Sequence, residues 1–224
     1  MSFKIVKYKK NEVELWDKLV THSKESTLFA SSFYISACSQ KIDRYFVYKG
    51  NQLKAGIYFP IIEKSIILSD LLIYSGILFN DIDNQKNVKK NSEKFLITEF
   101  IIEFITQNYS QINICLYNIK DLRPFLWKNY HSNKDKKFLI NIQYTSILNI
   151  DELFLRKRDY ENDLFINMDS VRQSDIKKGI ANIKNLEFNY EGKINLFMNS
   201  YNKMMKDNGV LIPKTESEKI KKLI

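Results

Sequence analysis

An α/β (α+β) fold, a mixed and largely antiparallel sheet flanked by helices, is what this sequence predicts. Three features carry that expectation. Two strand-like runs, Arg44 to Lys49 and Gln52 to Ile62, are joined through Gly50-Asn51, a tight-turn signal of the hairpin type. Ser92 to Tyr109 is the most clearly helical stretch, with Phe95, Leu96, Phe100, Ile101, Phe104 and Ile105 keeping the apolar period. A strand pattern follows at once: in Gln111 to Asn118, Ile112, Ile114 and Leu116 alternate with Asn113 and Cys115.

In chain order, Phe3 to Tyr8 reads as a short edge-like strand. Asn11 can cap the next helix, with Glu12 and Glu14 in a first turn whose dipole favours negative charge. Leu15, Trp16, Leu19 and Val20 recur there at helical spacing, and polar Ser23 to Thr27 ends the helix. Ser65 to Phe79 is a third apolar segment. Its Gly76 allows either a bulge or a close backbone approach. Isoleucines between the main stripe positions of Ser92 to Tyr109 predict a helix covered on two sides. Asp121 can cap a short helix that tolerates Pro124 in its first turn. Leu139 to Ile150 reads as strand, and Asp169 to Lys184 as a helix carrying Arg172, Lys177, Lys178 and Lys184. Leu186 to Tyr190 reads as a short strand. Ile194 to Lys206 reads as an amphipathic helix stopped at Asn208-Gly209, and Pro213 and Thr215 restart a helix.

The chain has 224 residues, 44% of them hydrophobic, enough for one large domain or two small ones. Six Gly and three Pro argue against a linker or a disordered tract. The formal net charge is +9, with 21 basic and 14 acidic side chains in residues 1–150 and 14 and 12 in residues 151–224. Such a surface suits a polyanion, a nucleotide-linked substrate or an anionic membrane face, and a solvated lysine-rich surface explains it as well. Cys38 and Cys115 are too few for a disulfide framework or a zinc site, so no metal is expected. Met1 to Lys4 lacks an apolar signal core, and Phe95 to Ile105 is too short and too charged to span a bilayer. A cytoplasmic, reduced protein is the simplest expectation. No nucleophile elbow, metalloprotease helix, Walker loop or dinucleotide glycine motif is present, so the sequence names no catalytic residue.

Several motifs together resemble one family. Trp16, Val20, Ser23, Thr27 and Phe29 match Trp-x-x-x-Val-x-x-Ser followed by Thr-x-Phe. Asp121 to Trp127 reads Asp-x-Arg-Pro-Phe-x-Trp, a Tyr144-Thr145 strand follows, and Arg172 leads to Ile176-Lys177-Lys178-Gly179. This set is similar to the FemAB-like branch of the GNAT acyltransferase superfamily, whose best-known members add amino acids from aminoacyl-tRNA to peptidoglycan precursors. The resemblance implies a GNAT-like domain over residues 1–150 and a partial second GNAT-like domain over 151–224. In the family that second domain continues further, so a truncated member, a fragment or a partner-completed protein is expected.

The implied function is an acyl- or aminoacyltransferase that forms an amide on a cell-envelope or nucleotide-linked amine acceptor. A donor of aminoacyl-tRNA or acyl-CoA type and a nucleotide-sugar or lipid-linked acceptor go with it, and no resident cofactor does. The resemblance assigns Arg172, Lys177 and Lys178 to substrate phosphate, which guanidinium can grip bidentately and lysine as a point charge. A structural Arg beside two solvated lysines explains them as well. It makes Arg123 and Trp127 locks between helix and sheet, with Trp16 in the core. Two departures stand out. Ile35-Ser36-Ala37-Cys38 lacks the lysine that peptidoglycan-bridge enzymes use on substrate phosphate. The CoA-gripping loop is also missing, since Ile176 stands where it needs Arg or Gln. The alternatives are a non-catalytic binding module of the same fold and a basic RNA-binding domain in which Tyr45, Tyr48 and Tyr58 stack bases.

Overall fold

The computed structural model describes residues 2–38, 40–68, 71–80, 86–131, 137–145, 165–166, 168–183 and 194–223. These fall into two compact units, Met1–Leu139 with Met198–Ile224, and Ile140–Phe197. The expected boundary near Ile150 lies outside the described residues, as do the predicted strand at Leu186 to Tyr190 and the charged stretch Asp151 to Asp163.

The first unit is built on one open sheet. Its strands are β1 (Phe3–Lys7), β2 (Ile42–Lys49), β3 (Gln52–Ile62), β4 (Ser65–Ile66), β5 (Gly76–Phe79) and β6 (Gln111–Ile112). β1, β2 and β3 pair in sequence, all antiparallel. Along its other edge β3 pairs first with β5 and then with β4, both antiparallel, and β6 joins β4 in parallel. The helices are α1 (Val13–His22), α2 (Ser32–Ala37), α3 (Asn87–Asn108) and α4 (Arg123–His131). Later come α5 (Ser170–Ile183), α6 (Ile194–Asp207) and α7 (Lys214–Leu223). α5 belongs to the second unit, and α7 rests against α2 within the first. The result is a mostly antiparallel sheet between helices, as the sequence predicts.

Strand alternation divides the core into two layers. Tyr45 and Val47 on β2, Ala55, Ile57, Phe59 and Ile61 on β3, and Ile77 and Phe79 on β5 face α3. That helix answers with Ile97, Ile101 and Ile105, and Phe100 and Phe104 lie against Phe3 and Tyr45 with ring centres 5.6 and 5.0 Å apart. The intervening residues Phe46, Tyr58 and Leu78 face Trp16 and Leu19 of α1 and Ile35 of α2. β3 is the central strand and is buried on both faces. Pro60 is tolerated in it because Ile61 N–H turns toward β2 (2.8 Å to Lys41 O), which leaves the proline nitrogen on the opposite edge, between the β5 and β4 pairings.

α1 sits close to the sheet because Gly56 has no side chain. A Cβ there would lie 2.6 Å from Leu19 Cδ2 and 3.1 Å from Trp16 Cζ3. The Trp16 indole N–H donates to Ala30 O at 2.7 Å, so the ring is fixed at both ends. Both carboxylate oxygens of Asp17 accept from Ser32, the backbone N–H at 2.8 Å, which ties the start of α2 to α1. The start of α1 differs from the expectation. A 3-10 turn, Lys10–Glu12, precedes it, and Glu12 rather than Asn11 accepts from an open backbone amide, Lys9 N–H at 2.6 Å.

A bulge sets up the buried charge. Val47 pairs with Ala55 but Tyr48 pairs with Leu53, so Lys54 is the extra residue. Its side chain, 5% exposed, reaches Glu93 on α3 at 3.2 Å, and Lys49 approaches the same carboxylate at 3.3 Å. Burial raises the Glu93 pKa, but the two lysines outweigh it and hold the carboxyl below its ordinary value. Nearby, Lys94 Nζ lies 2.9 Å from Glu25, which also accepts from Ser23 Oγ.

Two strand expectations are corrected. In Gln111 to Asn118 only Gln111–Ile112 form ladder pairs, although Asn113 N–H still donates to Ile66 O and Ser75 N–H to Cys115 O. The described part of Leu139 to Ile150 forms no strand. Leu139 is 97% and Tyr144 94% exposed, and a strand forms only where a neighbouring edge bonds its amides.

Trp16→Ala should destabilise the protein by about 3–5 kcal/mol, the range for truncating a buried tryptophan. Trp127→Ala, at a side chain 56% exposed, should cost less than about 1 kcal/mol. Urea midpoints of the two variants test the contrast. Glu93→Gln leaves Lys54 buried without its full counter-charge and should cost about 3 kcal/mol at pH 7. Because the folded Glu93 pKa is depressed, the carboxylate's contribution is complete above its unfolded pKa and is lost as pH falls through the folded one. The gap between wild type and Glu93→Gln should therefore close on acidification from pH 5 downward, which melts at stepped pH would measure.

Candidate functional site

Arg172, Lys177 and Lys178 all lie on α5 and all are exposed. Asp169 starts that helix by accepting from Arg172 N–H at 3.0 Å. The half-buried positions of α5, among the residues whose burial is described, are Gln173 and Ile176. Lys177 Nζ lies 5.5 Å from the Phe165 ring centre. The three cations share a helix, and the structure places them along its open surface.

Arg123 and Trp127 depart from their expected role. Pro124 and Phe125 carry the inner face of α4, with Phe125 against Phe138 at 5.3 Å. Asn129 clamps Phe138 through N–H donation in both directions, 2.6 and 2.8 Å. Arg123 and Trp127, four residues apart, fall on the opposite, outer face. Asp121 binds the Arg123 guanidinium bidentately (2.9 and 2.7 Å) and also accepts from Arg123 N–H at 3.1 Å. The aromatic that anchors a helix to the sheet is Trp16 alone of these three.

The residues that do converge come from four separate segments. Thr27 and Phe29 lie in the turn after α1, which Trp16 holds through Ala30. Tyr58 stands on β3, opposite Gly76. Tyr74 and Ser75 precede β5, and Cys115 and Tyr117 follow β6. Ser75 N–H donates to Cys115 O at 2.9 Å, which draws the last two segments together. Gly76 permits it: its φ is +126°, and a Cβ would lie 2.2 Å from Leu116 Cδ2. The sequence favours a bulge at Gly76, and the structure corrects this: the glycine serves the close approach of Leu116. Asn118, also at positive φ (54°), closes the turn by donating to Lys24 O at 3.0 Å. A row of rings lines the site, with centres 4.9 Å apart for Phe29–Tyr34, 5.8 Å for Phe29–Tyr74 and 5.4 Å for Tyr74–Tyr117.

The polar groups here are neutral. Burial pushes the Tyr58 phenol up to about 12, with Thr27 pulling the other way and Cys115 adding to the rise. Burial likewise raises the Cys115 thiol. Both keep their protons at neutral pH, so neither is an ionised base or nucleophile there. Thr27 Oγ1 is buried close to the Tyr58 phenol, and Ser75 Oγ is buried without a hydrogen-bond partner. Buried hydroxyls are seldom left unpaired. Thr27 and Phe29 entered the sequence reading only as positions that match a family motif, with no site role. That reading did not bring Tyr58, Ser75 and Cys115 together, because only the crossing of β3, β5 and the segment after β6 does that.

Among the described residues no group of His, Cys, Asp and Glu is arranged to hold a metal ion, and no helix is long and apolar enough to cross a membrane. No protein-family model, no curated protein and no solved structure matches the chain.

Ser75→Ala removes a hydroxyl that has no protein partner. Since a buried unsatisfied group costs about 1–3 kcal/mol, the variant should match or slightly exceed wild-type stability. Denaturant titration would contradict this by showing a loss above about 1 kcal/mol.

Proposed function

We propose that this chain is a FemAB-like, GNAT-type domain that transfers an acyl or aminoacyl group to an amine on a cell-envelope or nucleotide-linked acceptor. The observation that carries the reading is the buried, protonated Tyr58 phenol beside Thr27, with Cys115 near it and with Ser75 held to Cys115 through the backbone. The order of elements supports it: strand, two helices, antiparallel meander, long helix, then a strand running parallel to its neighbour.

In aminolysis an amine attacks an activated acyl carbon, negative charge develops on the carbonyl oxygen, and the ester or thioester bond to the leaving group breaks. Neutral O–H donors in a low-dielectric site stabilise that oxygen without reorganisation. Tyr58, protonated at neutral pH, can also give a proton to the leaving oxygen or sulfur, while water or the leaving group takes the ammonium proton. Arg172, Lys177 and Lys178 are assigned in this reading to phosphates of the donor or acceptor. The RNA-binding alternative loses its platform on the sheet, since Tyr58 is 2% exposed, Tyr45 lies against Phe104 and Tyr48 against Phe46.

The test is transfer of labelled amino acid from a pool of aminoacyl-tRNA, and of acetyl from acetyl-CoA, to UDP-linked and lipid-linked amines. Tyr58→Phe should lower kcat by about 10²-fold with little change in KM, as loss of an oxyanion donor does. Arg172→Gln with Lys177→Gln should raise KM instead. Absence of transfer by the wild-type chain from either donor would sink the catalytic reading and leave the binding module.

A further inference from the structure

Each residue that meets Tyr58 outside the core has a ring two positions along the chain. Thr27 and Cys115 both act on the Tyr58 phenol, and they lead to Phe29 and Tyr117. Gly76 stands opposite Tyr58 on β5, and Tyr74 precedes it by two. The three rings meet: Tyr74 lies 5.8 Å from Phe29 and 5.4 Å from Tyr117, centre to centre. All three are half-buried. Phe29 packs against the core layer beneath α1, but Tyr74 and Tyr117 belong to neither core layer. Core packing therefore does not account for those two.

We propose that the acyl group taken at this site is a neutral aromatic one, with its ring set against Tyr74 and Tyr117. The inference rests on the transferase reading of the Tyr58 site and adds the class of substrate to it. Binding sites for small groups are walled mainly by apolar and aromatic side chains, with a few polar groups at the reacting end. Here Tyr74 and Tyr117 are the wall, and Tyr58 with Thr27 is the polar end. The contacts along the row are tilted or edge-to-face, with planes 58° and 68° apart. A further ring continues that arrangement, a positive edge on a negative face, which an aliphatic chain cannot do. Charge is disfavoured for a separate reason. A charged acyl side chain would lose water beside a phenol, a hydroxyl and a thiol, none of them ionised. Arg44, the cross-strand neighbour of Tyr58, stacks on Tyr8 instead, with its guanidinium 3.6 Å from the ring centre.

Transfer to UDP-linked and lipid-linked amines would be followed from phenylalanyl-, leucyl-, glycyl- and lysyl-tRNA, and from phenylacetyl- and acetyl-CoA. The aromatic acyl group should exceed glycyl or acetyl by about tenfold or more in kcat/KM, the discrimination an apolar wall gives. Leucyl should fall between, and lysyl should be lowest. Tyr74→Ala and Tyr117→Ala should each shrink the aromatic preference by about threefold, the loss of one ring pair. Tyr117→Leu keeps apolar bulk and tests the ring itself. A second measurement reads recognition without chemistry: the full chain is titrated by NMR with N-acetylphenylalaninamide and with N-acetylglycinamide. Saturable shifts at Tyr74 and Tyr117 with the first alone support the proposal. Such shifts without transfer from any donor would sink the transferase reading and leave the ring recognition standing. The proposal is overturned by glycyl, leucyl or lysyl transfer at or above the phenylalanyl rate, by acetyl transfer at or above the phenylacetyl rate, or by absence of shifts with N-acetylphenylalaninamide.

Discussion

The packing of Trp16 over Gly56 is the contact on which the rest of the first unit depends. A tryptophan buries more area than any other side chain, and here it does so against a strand with no Cβ in its way. Its N–H needs a partner once buried, and Ala30 O supplies it across fourteen positions of chain. That one bond turns the loop after α1 back over the sheet. Arg44 completes the enclosure, its guanidinium 3.6 Å from the Tyr8 ring centre and 5.4 Å from Trp16. Burial lowers the Arg44 pKa, with Tyr8 and Asp17 opposing the shift, and one of its nitrogens, Nη1, is buried without a partner.

The consequence reaches the candidate site. Thr27 and Phe29 have no strand or long helix to hold them, and their position follows from the anchored Ala30 between Trp16 and α2. Ser75 and Cys115 are positioned by a different constraint, the close approach of Leu116 to Gly76. Gly56 and Gly76 therefore set how closely α1 and the segment after β6 approach the sheet. Larger residues at either would move backbone, because the neighbours at Gly56 and Gly76 lie inside contact distance.

On the opposite face, the bulge at Lys54 performs a similar service for α3. The extra residue sends a lysine toward the helix layer, where Glu93 meets it, and the charge is buried only because its counter-ion is built into the facing helix. α4 then covers α3 with its Phe125 side and leaves a second aromatic surface outward. The two tryptophans thus have opposite fates on helices of similar length. Trp16 falls on the stripe that meets the sheet, and Trp127 falls on the side away from Phe125.

The sequence by itself determined the element types and the two-layer plan. Period-two alternation in β2 and β3, the Gly50-Asn51 turn and the apolar period of α3 are local properties, set by backbone geometry and side-chain polarity over a few residues. Tertiary structure alone decided which helix faces found a partner. The motif match made Arg123 and Trp127 helix–sheet locks, but Phe125 took the inner position and left them outside. Leu139 to Ile150 reads as strand, yet a strand exists only where a neighbouring edge can bond its amides, and the described residues of that stretch form none. The meeting of Tyr58, Ser75 and Cys115 was likewise invisible, since it depends on strand order and on a side chain that Gly76 lacks, and neither is a property of any one segment.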